Sequence, residues 1–205
     1  MGWIQNMLND NPTLNTNELL FPGSHDSGAY NIEPSVEIVT SSAAMEFLNT
    51  NAIAKPIATK WSQCQDKTIY EQLKIGIHYL DLRIAFLENE WWIAHTFACV
   101  RVSEVFDDIV KFYSENNDDH ILFMRIKDDN ANFDIVKENI GSFWTQFSEH
   151  DIFSLIFPTT SVSNNISQMV TNKTPIILVT YWTTDITSAI RDDLNNQLYA
   201  DDSDT

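Results

Sequence analysis

The sequence predicts an α/β domain in which parallel strands are joined by helices, an incomplete TIM-like β/α barrel with about five strands. Three observations support this fold class. Strand-like runs alternate with helix-like runs along the chain, which is the pattern of repeated β/α units. The run at residues 175–182 is continuously apolar, as expected of a parallel strand covered on both faces. A closed eight-strand barrel usually needs about 250 residues, whereas this chain has 205.

The first half of the chain contains three strand-like runs, at residues 19–25, 78–84 and 91–96. The first of these runs leads into a turn. A helix is predicted from Thr68 to Ile75, because Thr68 and Glu71 have the spacing of a capping box. Gly76 is expected to end this helix.

The second half contains two further strands and three helices, at residues 121–127 and 175–182 and at residues 103–113, 133–147 and 185–199. Ser103 is predicted to cap its helix, with Glu104 and Asp107 in the positive first turn. The helix at 133–147 has one apolar face, formed by Val136, Ile140, Phe143, Trp144 and Phe147. Residues 1–205 are expected to form one domain with an acidic, frayed tail at residues 192–205.

The charge balance restricts the possible partners. Twelve Lys and Arg face 29 Asp and Glu, giving a net charge of −17, so a nucleic-acid partner is excluded and anionic membranes should be repelled. No signal peptide or membrane span is predicted, which favours a cytoplasmic or peripheral membrane location. Cys64 and Cys99 lack partners at metal-ligand spacing and are interpreted as buried thiols without zinc.

The most informative motif is PGSHDSG at residues 22–28, where two glycines flank His25 and Asp26 at a strand end. Glycine permits tight turns and close ligand approach, and sites in parallel α/β folds are built at the carboxyl ends of strands. The alternative is a turn with a structural histidine.

Charged residues on the predicted strands extend this motif. Asp81 and Arg83 share one strand face, and so do Arg125 and Lys127. The first pair is either functional or a structural ion pair. The second pair either faces a barrel mouth, where two cations would bind a phosphate, or faces helices and solvent. His95 ends a strand and on its own is interpreted as a structural or surface histidine.

The remaining histidines and the aromatic pair at the end of the fifth strand carry weaker signals. His78, His120 and His150 are interpreted as surface residues. Tyr181 and Trp182 end the fifth strand and either line a pocket or serve packing.

Together, the two histidines, the arginine, the lysine and the two aspartates near the strand ends, which are His25, His95, Arg83, Lys127, Asp26 and Asp81, favour phosphodiester chemistry without a metal. Two histidines can act as base and acid, and an arginine can stabilise the charge that develops on phosphate oxygens. A site for a divalent cation would instead be rich in carboxylates.

The segments PGSHDSG, YEQLKIGIHYLDLRI, WWIAHT and ILFMRIK resemble, in order and spacing, the X region of phosphatidylinositol-specific phospholipase C (PI-PLC), over roughly residues 19–130. The resemblance implies a β/α barrel that cleaves phosphatidylinositol through a cyclic inositol phosphate. His25 resembles the general base and His95 the general acid. Arg83 resembles the phosphate-binding arginine of the metal-independent branch, so no calcium or other cofactor is expected.

The resemblance also implies supporting roles and a partner. Asp26 resembles the carboxylate that holds the arginine, Lys127 an inositol-contacting lysine, and Asp81 a supporting carboxylate. Arg125 is a further substrate-binding candidate. The expected partners are a phosphoinositide or related phosphodiester substrate and, transiently, a membrane surface.

Two alternatives stay open. The family's late-strand aspartate, which partners the catalytic base, has no counterpart here. The chain would then be an inactive domain that binds inositol phosphates or a protein, or would need a second chain to complete its barrel. The other alternative, a metal-dependent glycerophosphodiester phosphodiesterase, expects an acid-x-acid pair that Asp81 and Arg83 do not provide.

Overall fold

The structure is a computed structural model that describes residues 3–33, 35, 47, 50–116, 120–129, 133–161 and 163–180, together with the backbone of 189–191. Its strands are β1 Gly23–Ser24, β2 Tyr79–Leu87, β3 Glu90–His95, β4 Phe97–Arg101, β5 Leu122–Asp128, β6 Ile176–Thr180 and β7 Ala189–Arg191. Its α-helices are α1 Trp3–Asp10, α2 Ala54–Trp61, α3 Ile69–Lys74, α4 Val102–Glu115, α5 Phe133–Glu149 and α6 Ile166–Asn172. Short 3₁₀ helices occupy Thr16–Glu18 and Asp151–Leu155.

The described strands form one mixed sheet with the order β4-β3-β2-β5-β6-β7, and β1 pairs with the start of β2. Strands β1, β2, β5 and β6 are parallel, as predicted, and β7 adds parallel to β6. Within the described residues the sheet ends on two separate edges, β4 and β7, so the barrel is not closed.

The prediction that residues 91–96 form another parallel strand is wrong, because β3 runs antiparallel to β2. Only Glu88 and Asn89 connect the two strands, with φ values of 52° and 63°. A two-residue link with positive φ makes a tight hairpin, whereas a parallel pairing needs a crossover of a dozen residues or more. Strand β4 then adds antiparallel to β3, and the sequence patterns did not predict it.

The helix predictions were confirmed where local signals were strong. Thr68 caps α3 through a capping box with Glu71, and Gly76 follows with φ 93°. Helix α5 covers the predicted residues 133–147.

Two helix predictions need correction. Helix α4 begins at Val102 with Arg101 as its N-cap, so Ser103 is not the cap. The helix predicted at residues 185–199 is wrong at residues 189–191, which pair with β6 as a strand. Tyr181, Trp182 and the tail at 192–205 lie outside the described residues. No helix of the described part of the chain combines the length and apolarity needed to cross a membrane.

Two hydrophobic clusters cover the two faces of the parallel strands. On the outer face, side chains of β2, β5 and β6 pack against α3, α4 and α5, including Leu80, Leu82, Met124, Ile126 and Leu178. On the inner face, residues at the amino ends of the strands pack against α1 and α6, including Tyr79, Phe123, Ile177, Ile4 and Met169. This inner cluster forms an apolar floor, and the charged residues lie beyond it toward the carboxyl ends of the strands.

Candidate active site

Four charged residues of β2 and β5 lie on the inner face, just beyond the apolar floor. In the register of the two strands, Asp81 stands beside Arg125 and Arg83 beside Lys127. Their sequence neighbours Leu82 and Ile126 point to the outer cluster, as strand alternation requires. Arg125 and Lys127 therefore do not face the helices, which was one of the alternatives that the sequence left open.

The loop from residue 22 to 28 is attached to β2 by hydrogen bonds that fix His25 and Asp26 over the site. The Ser27 N–H donates to the Asp81 carbonyl at 2.9 Å, and the Asp81 N–H donates to Ser27 Oγ at 2.8 Å. Gln72 of α3 braces the same loop, since its Nε2 donates to the Ser27 carbonyl at 2.8 Å and its Oε1 accepts from Ser24 Oγ at 2.7 Å.

Asp26 is the central carboxylate of the site. Its side chain is 2% exposed, and Oδ1 lies 2.6 Å from Arg83 Nε, while Oδ2 lies 3.0 Å from His95 Nδ1 and 3.2 Å from His25 Nε2. Its backbone has φ 46°, a left-handed conformation that aspartate tolerates better than most residues. Burial by itself raises the pKa of Asp26, but the hydrogen bond from His95 and the positive charges around it lower the pKa below its usual value.

His25 lies between two carboxylates. Its Nδ1 is 3.3 Å from Asp81 Oδ2, and its Nε2 is 3.3 Å from an Arg83 terminal nitrogen. Gln65, just beyond α2, donates from Nε2 to the His25 carbonyl at 2.7 Å. Because the ring is 41% exposed, it is both oriented by the protein and accessible to a substrate.

His95 reaches Asp26 from the end of β3. The chain turns there at Thr96, the single residue between β3 and β4, which has φ 67°. A positive φ is unusual for a β-branched residue such as threonine. The Thr96 N–H donates to Asp129 Oδ2 at 3.1 Å. The hydrogen bond with Asp26 is the largest cause that raises the pKa of His95, so the protonated ring is stabilised.

The two cations of β5 complete the cluster. Arg125 lies 3.4 Å from Asp81 Oδ1, and Lys127 joins the group through its place beside Arg83 in the register. The described cluster thus contains the cations Arg83, Arg125 and Lys127, the carboxylates Asp26 and Asp81, and two histidines, and the Asp129 carboxylate acts on His95. The three cations could bind an anion even though the chain as a whole is strongly acidic.

Calcium does not fit the described residues of this site. His25, Asp26 and Asp81 offer three ligand-type atoms close together, but calcium prefers six to eight oxygen ligands. Both carboxylates already contact the Arg83 guanidinium, at 2.6 Å for Asp26 and 3.5 Å for Asp81.

Several histidine and cysteine interpretations need correction. His78 and His120 are not surface residues: they are 2% and 8% exposed, and their rings stack with centroids 3.9 Å apart. His150 is partly buried and pairs with Asp107 at 3.2 Å. Cys99 is buried as predicted, but Cys64 is exposed.

Sequence reasoning missed the place of Cys64 at the site. Its Sγ lies 3.8 Å from Asp26 Oδ2, across 38 residues of sequence. No spacing pattern could have indicated this contact, because it depends on how the segment after α2 folds back over the loop that carries Asp26. The contacts of Gln65 and Gln72 were missed for the same reason.

Comparisons with known proteins identify what the chain is similar to. No protein-family model matches it. A PI-PLC X domain-containing protein of Dictyostelium discoideum is 39% identical over 102 residues, which are 49% of this chain and 17% of that protein. PI-PLC X domain-containing protein 1 of Homo sapiens is 35% identical over 101 residues, 47% of this chain and 31% of that protein. The chain therefore spans less than half the length of these relatives.

Solved structures show the same fold. A phosphatidylinositol-specific phospholipase C of Staphylococcus aureus, in its F249X mutant form, matches with a TM-score of 0.54 and 18% identity over 84% of this chain and 51% of that chain. Another structure of the S. aureus enzyme matches with a TM-score of 0.51 and 19% identity over 87% of this chain and 53% of that chain. The fold and the names of the relatives support a phosphodiesterase-like domain. The resemblance that the sequence motifs indicated is therefore confirmed: the curated homologues of this chain are named PI-PLC X domain-containing proteins, and the solved structures that share its fold are bacterial PI-PLC enzymes.

Proposed function

We propose that this chain carries a metal-independent phosphodiesterase site that cleaves phosphatidylinositol-type lipids, with His25 as general base and His95 as general acid. The observation that supports this most strongly is the buried Asp26 carboxylate, which contacts Arg83 at 2.6 Å and His95 at 3.0 Å. One carboxylate thus couples a phosphate-binding cation to a proton donor.

In the proposed reaction, His25 removes the proton from the attacking inositol hydroxyl. A proton on Nδ1, donated to Asp81 at 3.3 Å, leaves the Nε2 lone pair for this task. That nitrogen lies 3.3 Å from an Arg83 terminal nitrogen and 3.2 Å from Asp26 Oδ2. The inositol hydroxyl would displace these contacts, so that the activated hydroxyl and the phosphate would meet at one place. Asp81 here takes the orienting role that carboxylates have beside catalytic histidines, and it supplies the partner that the family places on a late strand.

His95 protonates the oxygen of the leaving glycerol. Its Nδ1 donates to Asp26, so Nε2 is the atom that faces the substrate. The raised pKa of His95 keeps more of the ring in its acid form near neutral pH, which is the form that this step requires.

The phosphate charge is balanced by side chains and not by a metal ion. Arg83 is 18% exposed and held by Asp26, which leaves other N–H groups of its guanidinium for the phosphate. Arg125 and Lys127 stand beside Asp81 and Arg83 in the register and would contact the phosphate or the inositol ring. A preorganised guanidinium supplies the positive charge that calcium supplies in other branches of the family.

A membrane surface is the proposed location of the substrate, and α2 supports this. Ile53, Ile57 and Trp61 repeat at a four-residue spacing along α2 and are 79%, 50% and 82% exposed, an apolar stripe typical of interfacial helices. Residues 47–65 contain Lys55 and Lys60 and no acidic residue, so this region departs from the acidity of the chain. The segment that follows α2 contacts His25 and Asp26 directly, so the stripe is joined to the site by only a few residues of chain.

The test is turnover of phosphatidylinositol vesicles in EDTA by the full chain, by His25→Ala and by His95→Ala. His150→Ala is the matched control, because its ring also pairs with an aspartate but lies outside the site. We expect activity to survive EDTA, to fall by at least about a thousandfold in each site variant, and to persist in the control.

Three results would contradict the proposal. Loss of activity in EDTA and its return with magnesium would favour the metal-dependent glycerophosphodiester phosphodiesterase. Inositol phosphate binding without turnover in a folded sample would favour the inactive binding domain. Activity that appears only when a second chain is added would show that the barrel is completed by another protein.

A further inference from the structure

We propose that Asp26, Cys64 and His95 form an inhibitory site for a divalent cation of the zinc class. Asp26 Oδ2, Cys64 Sγ and a ring nitrogen of His95 all lie within 4.8 Å of one another. Carboxylate, thiol and imidazole are the side chains that bind zinc in proteins.

Two of the three separations between the ligand atoms are close to those of a tetrahedral zinc centre. Zinc bonds of about 2.0–2.3 Å place a nitrogen and an oxygen ligand about 3.4 Å apart and a sulfur and an oxygen ligand about 3.6 Å apart. Here the corresponding distances are 3.0 Å between His95 Nδ1 and Asp26 Oδ2 and 3.8 Å between Cys64 Sγ and Asp26 Oδ2. The two therefore differ from the tetrahedral values by a few tenths of an ångström.

The surroundings allow an ion to enter and be held. The Arg83 guanidinium contacts Oδ1 of Asp26, so a metal would bind Oδ2 and replace the contacts that this oxygen makes with His95 and His25. Cys64 is exposed, and His95 is 30% exposed, so an ion can reach the site from solvent. Sulfur and nitrogen ligands favour zinc over calcium or magnesium.

Binding would involve ordinary ligand exchange. The Cys64 thiol loses its proton to solvent as the sulfur–metal bond forms, and the Nδ1 proton of His95 leaves in the same way. The effect on activity rests on the proposed function: a metal on Nδ1 breaks the hydrogen bond with Asp26 and prevents the ring from becoming the imidazolium that protonates the leaving group.

The test uses the full chain, freed of metal with EDTA and dialysed, and titrated with zinc chloride by calorimetry and with cobalt chloride by absorption. Cobalt bound to a thiolate gives a near-ultraviolet charge-transfer band. Cys64→Ser is the test variant, and Cys99→Ser is its matched control because Cys99 is buried and is not one of the three ligand-type side chains of the site. Circular dichroism melting verifies that both variants are folded.

We expect the wild type and Cys99→Ser to bind one zinc ion and to show the cobalt band. Cys64→Ser should lack the band and bind zinc at least about tenfold more weakly. Absence of the band in the wild type, or equal zinc affinity in Cys64→Ser, would overturn the site. In turnover assays, zinc should inhibit the wild type and the Cys99→Ser variant at concentrations that leave Cys64→Ser active. Equal inhibition of all three proteins would overturn the inhibitory role of the zinc site. If the chain shows no turnover, the zinc-binding result still stands. Failure of the proposed function can therefore be distinguished from failure of the zinc site.

Discussion

Replacing Asp26 with asparagine removes the charge that joins Arg83 to His95, the proposed general acid, while keeping the size of the side chain. Asp26 is 2% exposed and lies 2.6 Å from Arg83 Nε. Removing one partner of a buried ion pair costs about 3–5 kcal/mol. Because Arg83 keeps a second carboxylate, that of Asp81, at 3.5 Å, we expect a loss in unfolding free energy near the lower end, about 3 kcal/mol.

The effect on catalysis should be larger. Loss of the carboxylate that orients a catalytic histidine lowers kcat by about ten-thousandfold in the serine-protease triad, so we expect a fall of about a thousandfold or more. The Asp26 hydrogen bond raises the pKa of His95, and asparagine removes the negative charge. The acid form of His95 is then lost at lower pH, and the alkaline limb of the kcat profile moves to lower pH.

The assay is kcat from about pH 5 to about pH 9, with urea unfolding for stability. Asp107→Asn is the matched control, since Asp107 also pairs with a histidine, at 3.2 Å from His150, but is 76% exposed. Its stability should stay within about 0.5 kcal/mol of the wild type. The reasoning would be refuted if Asp26→Asn kept kcat within about tenfold of the wild type with an unmoved alkaline limb.

Three further perturbations test other parts of the structure. Trp61→Ala should weaken binding to phosphatidylinositol vesicles by at least about tenfold, measured by sedimentation. Ile75→Ala, at another apolar residue that is 63% exposed but lies outside α2, should not weaken it, and equal effects would remove the special role of α2. Burial, followed by the charge of its stacked neighbour His78, lowers the pKa of His120 from 6.5 to about 3. The folding free energy that comes from keeping this ring neutral is therefore complete above the unfolded pKa of 6.5 and is lost as the pH falls from 6.5 toward 3. Between about pH 7.5 and about pH 5 the loss should be about 2 kcal/mol, and His120→Gln should reduce it in urea unfolding; an unchanged pH dependence would contradict the buried neutral ring. Gly28→Ala should lower stability by about 1–3 kcal/mol, because its Cβ would lie 2.5 Å from a core isoleucine of β3, whereas Gly141→Ala, whose Cβ meets nothing within 4 Å, should not be destabilised in thermal melting.

Features that depend on neighbouring residues could be predicted from the sequence. The capping box of Thr68 and Glu71 specifies the start of α3 locally. Alternation along β2 and β5 placed Asp81 and Arg83 on one face and Arg125 and Lys127 on one face. The position of β2 followed from the same alternation, and that of β6 followed from a continuously apolar run.

Features that depend on how distant segments meet could not be predicted. The hairpin of β2 and β3 turns on Glu88 and Asn89, and without a glycine this pair lacks the strongest hairpin signature. The stack of His78 and His120 joins residues 42 positions apart only because both histidines precede neighbouring parallel strands. The contact of Cys64 with Asp26 likewise depends on how two distant segments meet, so no sequence pattern indicates it.

The central claim is that two histidines and an arginine cleave a phosphodiester without a metal. Phosphorus NMR of phosphatidylinositol treated with the wild type in EDTA tests it most directly, with His95→Ala as the comparison. We expect a cyclic inositol phosphate to form with the wild type and to form at least about a thousandfold more slowly with the variant. A folded wild type that yields no cyclic phosphate in EDTA but does so when calcium is added would contradict it.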